Sequence, residues 1–299
     1  MAFAFFIEVL VGGLLAGVMY ALVALGFVLI YKASGVFNFA QGAMVFFAAL
    51  TFVSLLERGM NFWLALVITL AVMVVLGLAI EKVVLRPLVN QPPITLFMAT
   101  IGLTFVLEGL SQLVWGSQPH GLELGVPDVP LEWLSEKTNI NISQFDLFAS
   151  AVAGILVAVL AVFFQKTRIG RALRAVADDH QAALAVGIPL KTIWGIVWAV
   201  AGFVALVAGL MWGVRNGVQY ALTFVALKAL PVLILGGFES IAGAIVGGLI
   251  IGASEKLAEV YLGPYVGGGI EGWFAYVIAL VFLLFRPEGL FGEKIIERV

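Results

Sequence analysis

The sequence predicts an all-α polytopic integral membrane protein, and three observations carry that prediction. Hydrophobic residues fill 63% of the 299 positions and charged residues 11%, where a soluble domain is about half apolar and about a quarter charged. The chain contains nine apolar segments, most of them near the ~20 residues that cross a ~30 Å hydrocarbon core. Lys and Arg gather on one set of loops between those segments, as the positive-inside rule requires. A soluble enzyme and a disordered chain are excluded by the composition. The net charge of −2 leaves no field for a nucleic-acid partner. With no cysteine, disulfides, thiolate catalysis and cysteine-bound metals are excluded. His120 and His180, without a paired-histidine helix motif, give no histidine-rich metal site. There is no P-loop glycine-lysine signature, so no nucleotide site is expected in this chain. The N-terminus lacks a basic n-region, and its apolar run is too long for a cleavable signal.

Six segments are free of acidic and basic residues: 9–31, 33–56, 59–80, 87–107, 147–165 and 192–214. The last third is less clean. Segment 216–238 carries Lys228, segment 240–262 is broken by Glu255, Lys256 and Glu259, and segment 271–285 is short but aromatic. Asn38, Gln41 and Gly42 interrupt 33–56 near its start. If that segment crosses, there are nine spans with Met1 outside; if it dips and returns, there are eight with Met1 inside. The loop 166–191 holds Lys166, Arg168, Arg171, Arg174 and Lys191, which makes it cytoplasmic. Lys82, Arg86, Arg286, Lys294 and Arg298 then fall on the same side, with the C-terminus. The loop 116–146 carries Glu123, Asp128, Glu132, Glu136 and Asp146 against Lys137 alone. It is expected outside, as an ordered periplasmic cap with turns at Pro119, Pro127 and Pro130 and a short helix near 131–136. No soluble domain is expected, so 1–299 reads as a single membrane domain.

The basic loop is the most informative stretch. Positions 171–186 favour a helix because alanine and leucine dominate. Gly187 stands where a C-terminal cap belongs, and Pro189 follows as a stop. Leu173, Val176, Ala177, Leu184 and Val186 give an apolar side. Such a helix either seats in a groove on a soluble partner or lies on lipid headgroups.

With its alanine-rich run and Gly187-Ile188, this loop resembles the coupling loop of bacterial ABC importer permeases. Four further blocks narrow the resemblance: Gly17-Val18-Met19-Tyr20-Ala21-Leu22-Val23-Ala24-Leu25-Gly26, Asn38-Phe39-Ala40-Gln41-Gly42, Gly236-Gly237-Phe238-Glu239-Ser240-Ile241-Ala242-Gly243-Ala244 and Arg286-Pro287-Glu288-Gly289-Leu290. In order and spacing the chain is similar to the permease family of branched-chain amino acid uptake systems. The family often has His where this chain has Gln41. The resemblance implies a permease subunit of the bacterial inner membrane that is not itself an enzyme. Its partners would be a second permease subunit (homologous or identical), two cytoplasmic ATPases carrying the ATP and Mg, and a periplasmic binding protein. This chain would bind no cofactor. Arg171, Arg174, Asp178, Ala182, Gly187 and Ile188 would lie at the ATPase contact, and ATP-driven closure would switch the spans between inward- and outward-open states.

Candidates for the substrate path are fewer. Asn38 and Gln41 lie three residues apart, on one face if helical, and their amides both donate and accept; alternatively Asn38 caps a helix over 42–56. Thr100 and Thr104 are one turn apart and either line a path or bond preceding carbonyls, the second being favoured. Lys228 sits mid-segment, where a charge costs about 2.5–3.5 kcal/mol on insertion scales. It needs a counter-ion, for which Glu108 and Glu239 are the candidates, or else the span begins near Ala226 and leaves Lys228 at the periplasmic surface. Pro231 breaks the backbone ladder nearby. Glu255, Lys256 and Glu259 read as a solvated helix end. The GxxxG pairs Gly243/Gly247 and Gly248/Gly252 mark close helix packing, within the chain or with the second permease. Two other functions fit parts of the sequence: a related permease for urea or short amides, and an ion-coupled carrier using Lys228, Glu81 and Glu108. The basic loop counts against the carrier.

Overall fold

Each apolar segment becomes a helix, six of them long and the other three shorter. The computed structural model describes residues 2–88, 91–178 and 180–292. Lys294 and Arg298, and Asp179 in the basic loop, lie outside the described residues. Among the described residues the structure is helical, apart from isolated bridges pairing His120 with Val218 and Pro130 with Ser143.

In chain order the helices are α1 (Ala2–Ser34), α2 (Gln41–Glu57), α3 (Phe62–Ala79), α4 (Pro93–Trp115), α5 (Glu132–Thr138), α6 (Gln144–Lys166), α7 (Arg168–Asp178), α8 (His180–Ala185), α9 (Leu190–Asn216), α10 (Val225–Gly236), α11 (Ile241–Tyr261), α12 (Gly263–Val266) and α13 (Phe274–Phe285). A π-helical turn, Ile80–Leu85, and a 3₁₀ turn, Arg86–Leu88, continue α3, and a 3₁₀ turn, Tyr220–Phe224, leads into α10. Six helices are long and apolar enough to span: α1, α3 with its continuation, α4, α6, α9 and α11. The shorter apolar helices are α2, Tyr220–Gly236 and α13. At 17 residues α2 reaches only about 25 Å. It is buried from Gln41 to Ser54 except at Phe47, so protein rather than lipid surrounds it. The short helix expected near 131–136 is α5.

The chain divides into two compact units: Met1–Ala24, Glu123–Ala158 and Leu227–Val299 form the first, and Leu25–Leu122 with Val159–Ala226 the second.

In the first unit α1 and α11 run antiparallel and touch through glycine. A Cβ on Gly13 would lie 2.7 Å from the Gly252 carbonyl, and one on Gly248 would lie 2.6 Å from the Gly17 carbonyl. Absent side chains let the backbones approach, and in lipid that approach is itself the attraction. The other glycine row of α11 meets α10: a Cβ on Gly247 would stand 2.7 Å from the Val232 carbonyl. Both GxxxG pairs are therefore used inside the chain, which settles the alternative left open between internal packing and a second subunit. Ser240 caps α11 by accepting the Gly243 N–H (2.9 Å). Pro231 lies inside α10, and its missing N–H orphans the carbonyl four residues earlier. That carbonyl, on Leu227, accepts the Tyr276 hydroxyl at 2.6 Å instead, so α10 continues through the proline to Gly236.

In the second unit α9 serves α2 and α3. Its Gly209 packs on the Val45 carbonyl (2.6 Å from an added Cβ), and its Gly202 packs on the Met73 carbonyl (2.6 Å). The Trp194 indole donates to the Ala33 carbonyl (2.8 Å), tying the start of α9 to the end of α1.

Candidate functional site

The basic loop folds back on the helix it leaves. Thr167 donates to the Phe163 carbonyl (2.7 Å) and accepts the Gly170 N–H (3.1 Å), which turns the chain within two residues of Lys166. Gly170 rests directly on the Phe164 carbonyl, leaving no room for a Cβ. Arg174 then donates to the carbonyls of Phe164 (2.6 Å) and Gln165 (3.2 Å), two of the last carbonyls of α6 that have no helical donor. Its cation also complements the negative end of that helix. So Arg174 holds the loop together from within, while Arg171 and Asp178 are exposed.

The helix expected over 171–186 is present wherever the chain is described: 168–178 and 180–185 are helical, with Asp179 between them outside the described residues. The expected apolar side is only partly covered: Leu173 and Val176 are buried, whereas Leu184 is 55% and Val186 76% exposed. The cap expected at Gly187 is present and specific. Gly187 adopts φ +84°; its N–H donates to the Leu184 carbonyl (3.0 Å), and the Ile188 N–H reaches back to the Ala183 carbonyl (2.9 Å). Those two bonds form a Schellman motif, which needs a left-handed residue and therefore favours glycine. Ala182 is exposed one turn earlier.

Asn38 and Gln41 do meet, though not on one helix. Asn38 lies in the turn before α2. Its Oδ1 accepts the Ala40 N–H (3.1 Å) and its Nδ2 donates to Gln41 Oε1 (3.2 Å). The expected cap of α2 is thus corrected: Asn38 closes the turn, and Ala40 at the helix start has no side-chain cap. Both amides are fully buried. Gln41 Nε2 lies against Gly26 and has no partner among the described residues. Thr100 sits within reach of the carbonyls of Phe37 (3.0 Å) and Phe97 (2.9 Å), and Thr104 donates to the Thr100 carbonyl (3.0 Å). Both hydroxyls are engaged with backbone, as the favoured reading held.

Lys228 stands in the first turn of α10, and its counter-ion is neither Glu108 nor Glu239. Its Nζ lies 3.1 Å from Glu255 Oε1. The Tyr20 hydroxyl donates to the same oxygen (3.2 Å), and the ammonium stands 5.9 Å from the Tyr20 ring centre. Glu108 accepts from Tyr220 (3.2 Å). Glu255 is only 3% exposed, so it belongs to the core and not to a solvated helix end. Helical side chains lean toward their own N-terminus, so on antiparallel α1 and α11 Tyr20 and Glu255 lean toward each other. The Gly13/Gly17 spacing opposite Gly248/Gly252 was the available signal for this pair. Lys256 and Glu259 do end the helix: Lys256 pairs with Glu271 (3.1 Å), and Glu259 accepts the N–H groups of Gly269 (2.8 Å) and Glu271 (2.9 Å). Glu81, a coupling charge in the carrier reading, is held by Arg86 through two bonds of 3.0 and 2.6 Å.

With the fold and these groups in place, comparison with known proteins is informative. Residues 9–286 match the family described as branched-chain amino acid transport system, permease component. The chain is 28% identical to the high-affinity branched-chain amino acid transport system permease protein BraD of Pseudomonas aeruginosa, over 98% of each chain. To the permease protein LivH of the corresponding Escherichia coli system it is 27% identical, over 99% of each. The fructose import permease protein FruF of Bifidobacterium longum is 26% identical, over 90% of this chain and 75% of that one. An all-helical, multi-pass membrane protein that matches along almost its whole length, this chain belongs to the family of branched-chain amino acid transport permease components.

Proposed function

We propose that this chain forms half of the translocation path of an ATP-driven importer for branched-chain or related amino acids. It sits in the bacterial inner membrane as one permease domain over 1–299, with eight or nine segments. The loop 166–191 and the C-terminus face the cytoplasm, and the loop 116–146 faces the periplasm. Its partners are a second permease subunit (homologous or identical), two ATPases that bind the ATP and Mg, and a periplasmic substrate-binding protein. The chain itself binds no cofactor and catalyses no reaction.

One observation carries the proposal beyond family membership. The most basic loop of the chain is helical where described, braced at its start and capped at its end, and it presents Leu184 and Val186. Apolar side chains on a rigid knob suit a groove on a soluble partner better than they suit water. Arg171 and Asp178 supply charges at the same knob, and the Gly187–Ile188 cap keeps it stiff enough to transmit force. On the path side, Asn38 and Gln41 supply neutral amides, while Thr100, Thr104 and Lys228 would each have to exchange a present partner for the solute. A second reading, an uncharged solute, draws support from the fructose-importing relative, since amides bind hydroxyls as readily as they bind amino acids. The carrier reading loses support because its candidate charges are already paired.

Pull-down of the tagged permease tests the docking claim. Val186→Asp combined with Arg171→Glu should reduce the ATPase recovered while the permease elutes as before; undiminished recovery overturns it. Uptake of radiolabelled leucine against fructose, by the complex with its binding protein in liposomes, decides the substrate.

A further inference from the structure

We propose that the groove at the foot of α3 and α9 is a binding site for an anionic phospholipid, with the headgroup phosphate on Lys191 and Arg86 and an acyl chain along Leu190 and Trp194. The groove encloses about 420 Å³ and is lined by Arg86, Leu184, Pro189, Leu190, Lys191 and Trp194. Its wall is almost entirely hydrocarbon and indole. That volume and that wall are wrong for a free inorganic anion, which would use the cations and leave the apolar surface wet. They are right for an amphiphile.

The two cations stand at the rim. Lys191 is exposed and makes no ion pair among the described residues. Arg86 is braced by Glu81, which is almost fully buried, yet its side chain keeps 35% of its exposure. Trp194 is fixed from behind by its bond to the Ala33 carbonyl, so the floor is preorganised. The groove also continues a lipid-compatible surface. Val67, Val75 and Leu78 of α3 are exposed, and so is Val83 just before Arg86. Leu78 packs against Gly195 one turn from Leu190's end of α9 (3.2 Å from an added Cβ). A chain lying in that seam reaches the cations at headgroup depth, where basic pockets between helices capture acidic lipids. The inference rests on the orientation proposed above, which places this end at the anionic cytoplasmic leaflet.

The test uses the assembled importer in nanodiscs of phosphatidylcholine with or without phosphatidylglycerol, and native mass spectrometry of the lipid it retains. Wild type should retain phosphatidylglycerol in preference to phosphatidylcholine. Lys191→Gln, a surface change, should weaken that retention about fivefold, the effect expected of one headgroup-level cation. Leu190→Trp fills the groove without altering charge and should abolish the preference. Arg86 is left in place because its loss would strand Glu81. ATPase recovery should be unchanged in both variants, which separates this site from the docking knob. Equal retention by wild type and both variants would show ordinary surrounding lipid and overturn the proposal. So would displacement by inorganic phosphate alone, or loss of the ATPase from Lys191→Gln, which would make the groove a protein seat.

Discussion

α2 in one unit and α11 in the other both meet their neighbours through glycine, and both carry buried polar groups, but they treat those groups differently. At the start of α2 the buried groups are neutral amides, Asn38 and Gln41, and one donor, Gln41 Nε2, has no partner among the described residues. On α11 the buried group is a carboxylate, and Glu255 has gathered both an ammonium and a phenol around one oxygen. The physical reason is magnitude. An unpaired amide N–H costs about 1–3 kcal/mol, which a fold survives, whereas an unpaired buried charge costs several times more. The charged group must be satisfied for the chain to fold. The amide need not be, because its cost is within what a fold tolerates.

The largest expected effect breaks the charged side of that comparison. Lys228→Met leaves Glu255, 3% exposed, without its cation, and removal of one partner so that a buried charge is stranded destabilises by about 3–5 kcal/mol. Folded yield in detergent, followed by fluorescence-detected size exclusion, should collapse. Lys228→Met combined with Glu255→Gln should recover most of it, because no charge is then stranded. If the double variant is as poor as the single one, the pair is not what holds these helices.

Next in size is the glycine contact common to both helices. Gly17→Leu drives a side chain into the Gly248 backbone, and Gly209→Leu drives one into Val45 of α2. Overpacking costs about 1–3 kcal/mol, and more where backbone must move. Both should lower the thermal midpoint markedly. Gly12→Leu, whose Cβ would meet nothing within 4 Å, should leave it in place, and a fall there would refute the contact argument. A smaller change follows from Tyr276→Phe, which orphans the Leu227 carbonyl opposite Pro231. Hydrogen bonds between helices in lipid are worth about 0.6 kcal/mol on average and at most about 1.7, so a midpoint loss of a few degrees is expected. A Pro231→Ala background should erase that loss by restoring the backbone donor.

What the sequence made legible was local. The apolar segments, the cap at Gly187 with Pro189 behind it, and the interruption at Asn38–Gly42 all depend on neighbours within one or two turns, and each was found where expected. What stayed hidden depended on packing. Lys228 finds its counter-ion 27 residues away, chosen by which faces α1, α10 and α11 press together, and no spacing along the chain encodes that. The resemblance puts Arg174 at the ATPase contact, while the carbonyls it binds within the loop are defined only once α7 folds back on α6. Leu184 and Val186 read as the inner side of a helix because they are apolar, while which apolar residues of the loop are covered depends on what packs against them.

The smallest stability effect is expected at Gln41, and it bears most directly on function. Gln41→Leu removes a donor that has no partner and replaces it with hydrocarbon in a fully buried position. The loss is one bond from Asn38 Nδ2, which retains only a long contact to the Met44 sulfur (3.6 Å). These changes nearly cancel, so the thermal midpoint should move by no more than the equivalent of about 1 kcal/mol. Uptake by the assembled importer should nonetheless fall, because an amide held buried with a free N–H is a preformed contact for a polar solute that enters as the helices part. Gln41→Met sharpens the test: it keeps the length of the side chain but removes the donor without adding a buried carboxyl, and should impair uptake as the leucine variant does. A leucine variant that transports normally at normal stability would leave the unpartnered donor as a tolerated packing defect, and the path would have to be sought at Lys228.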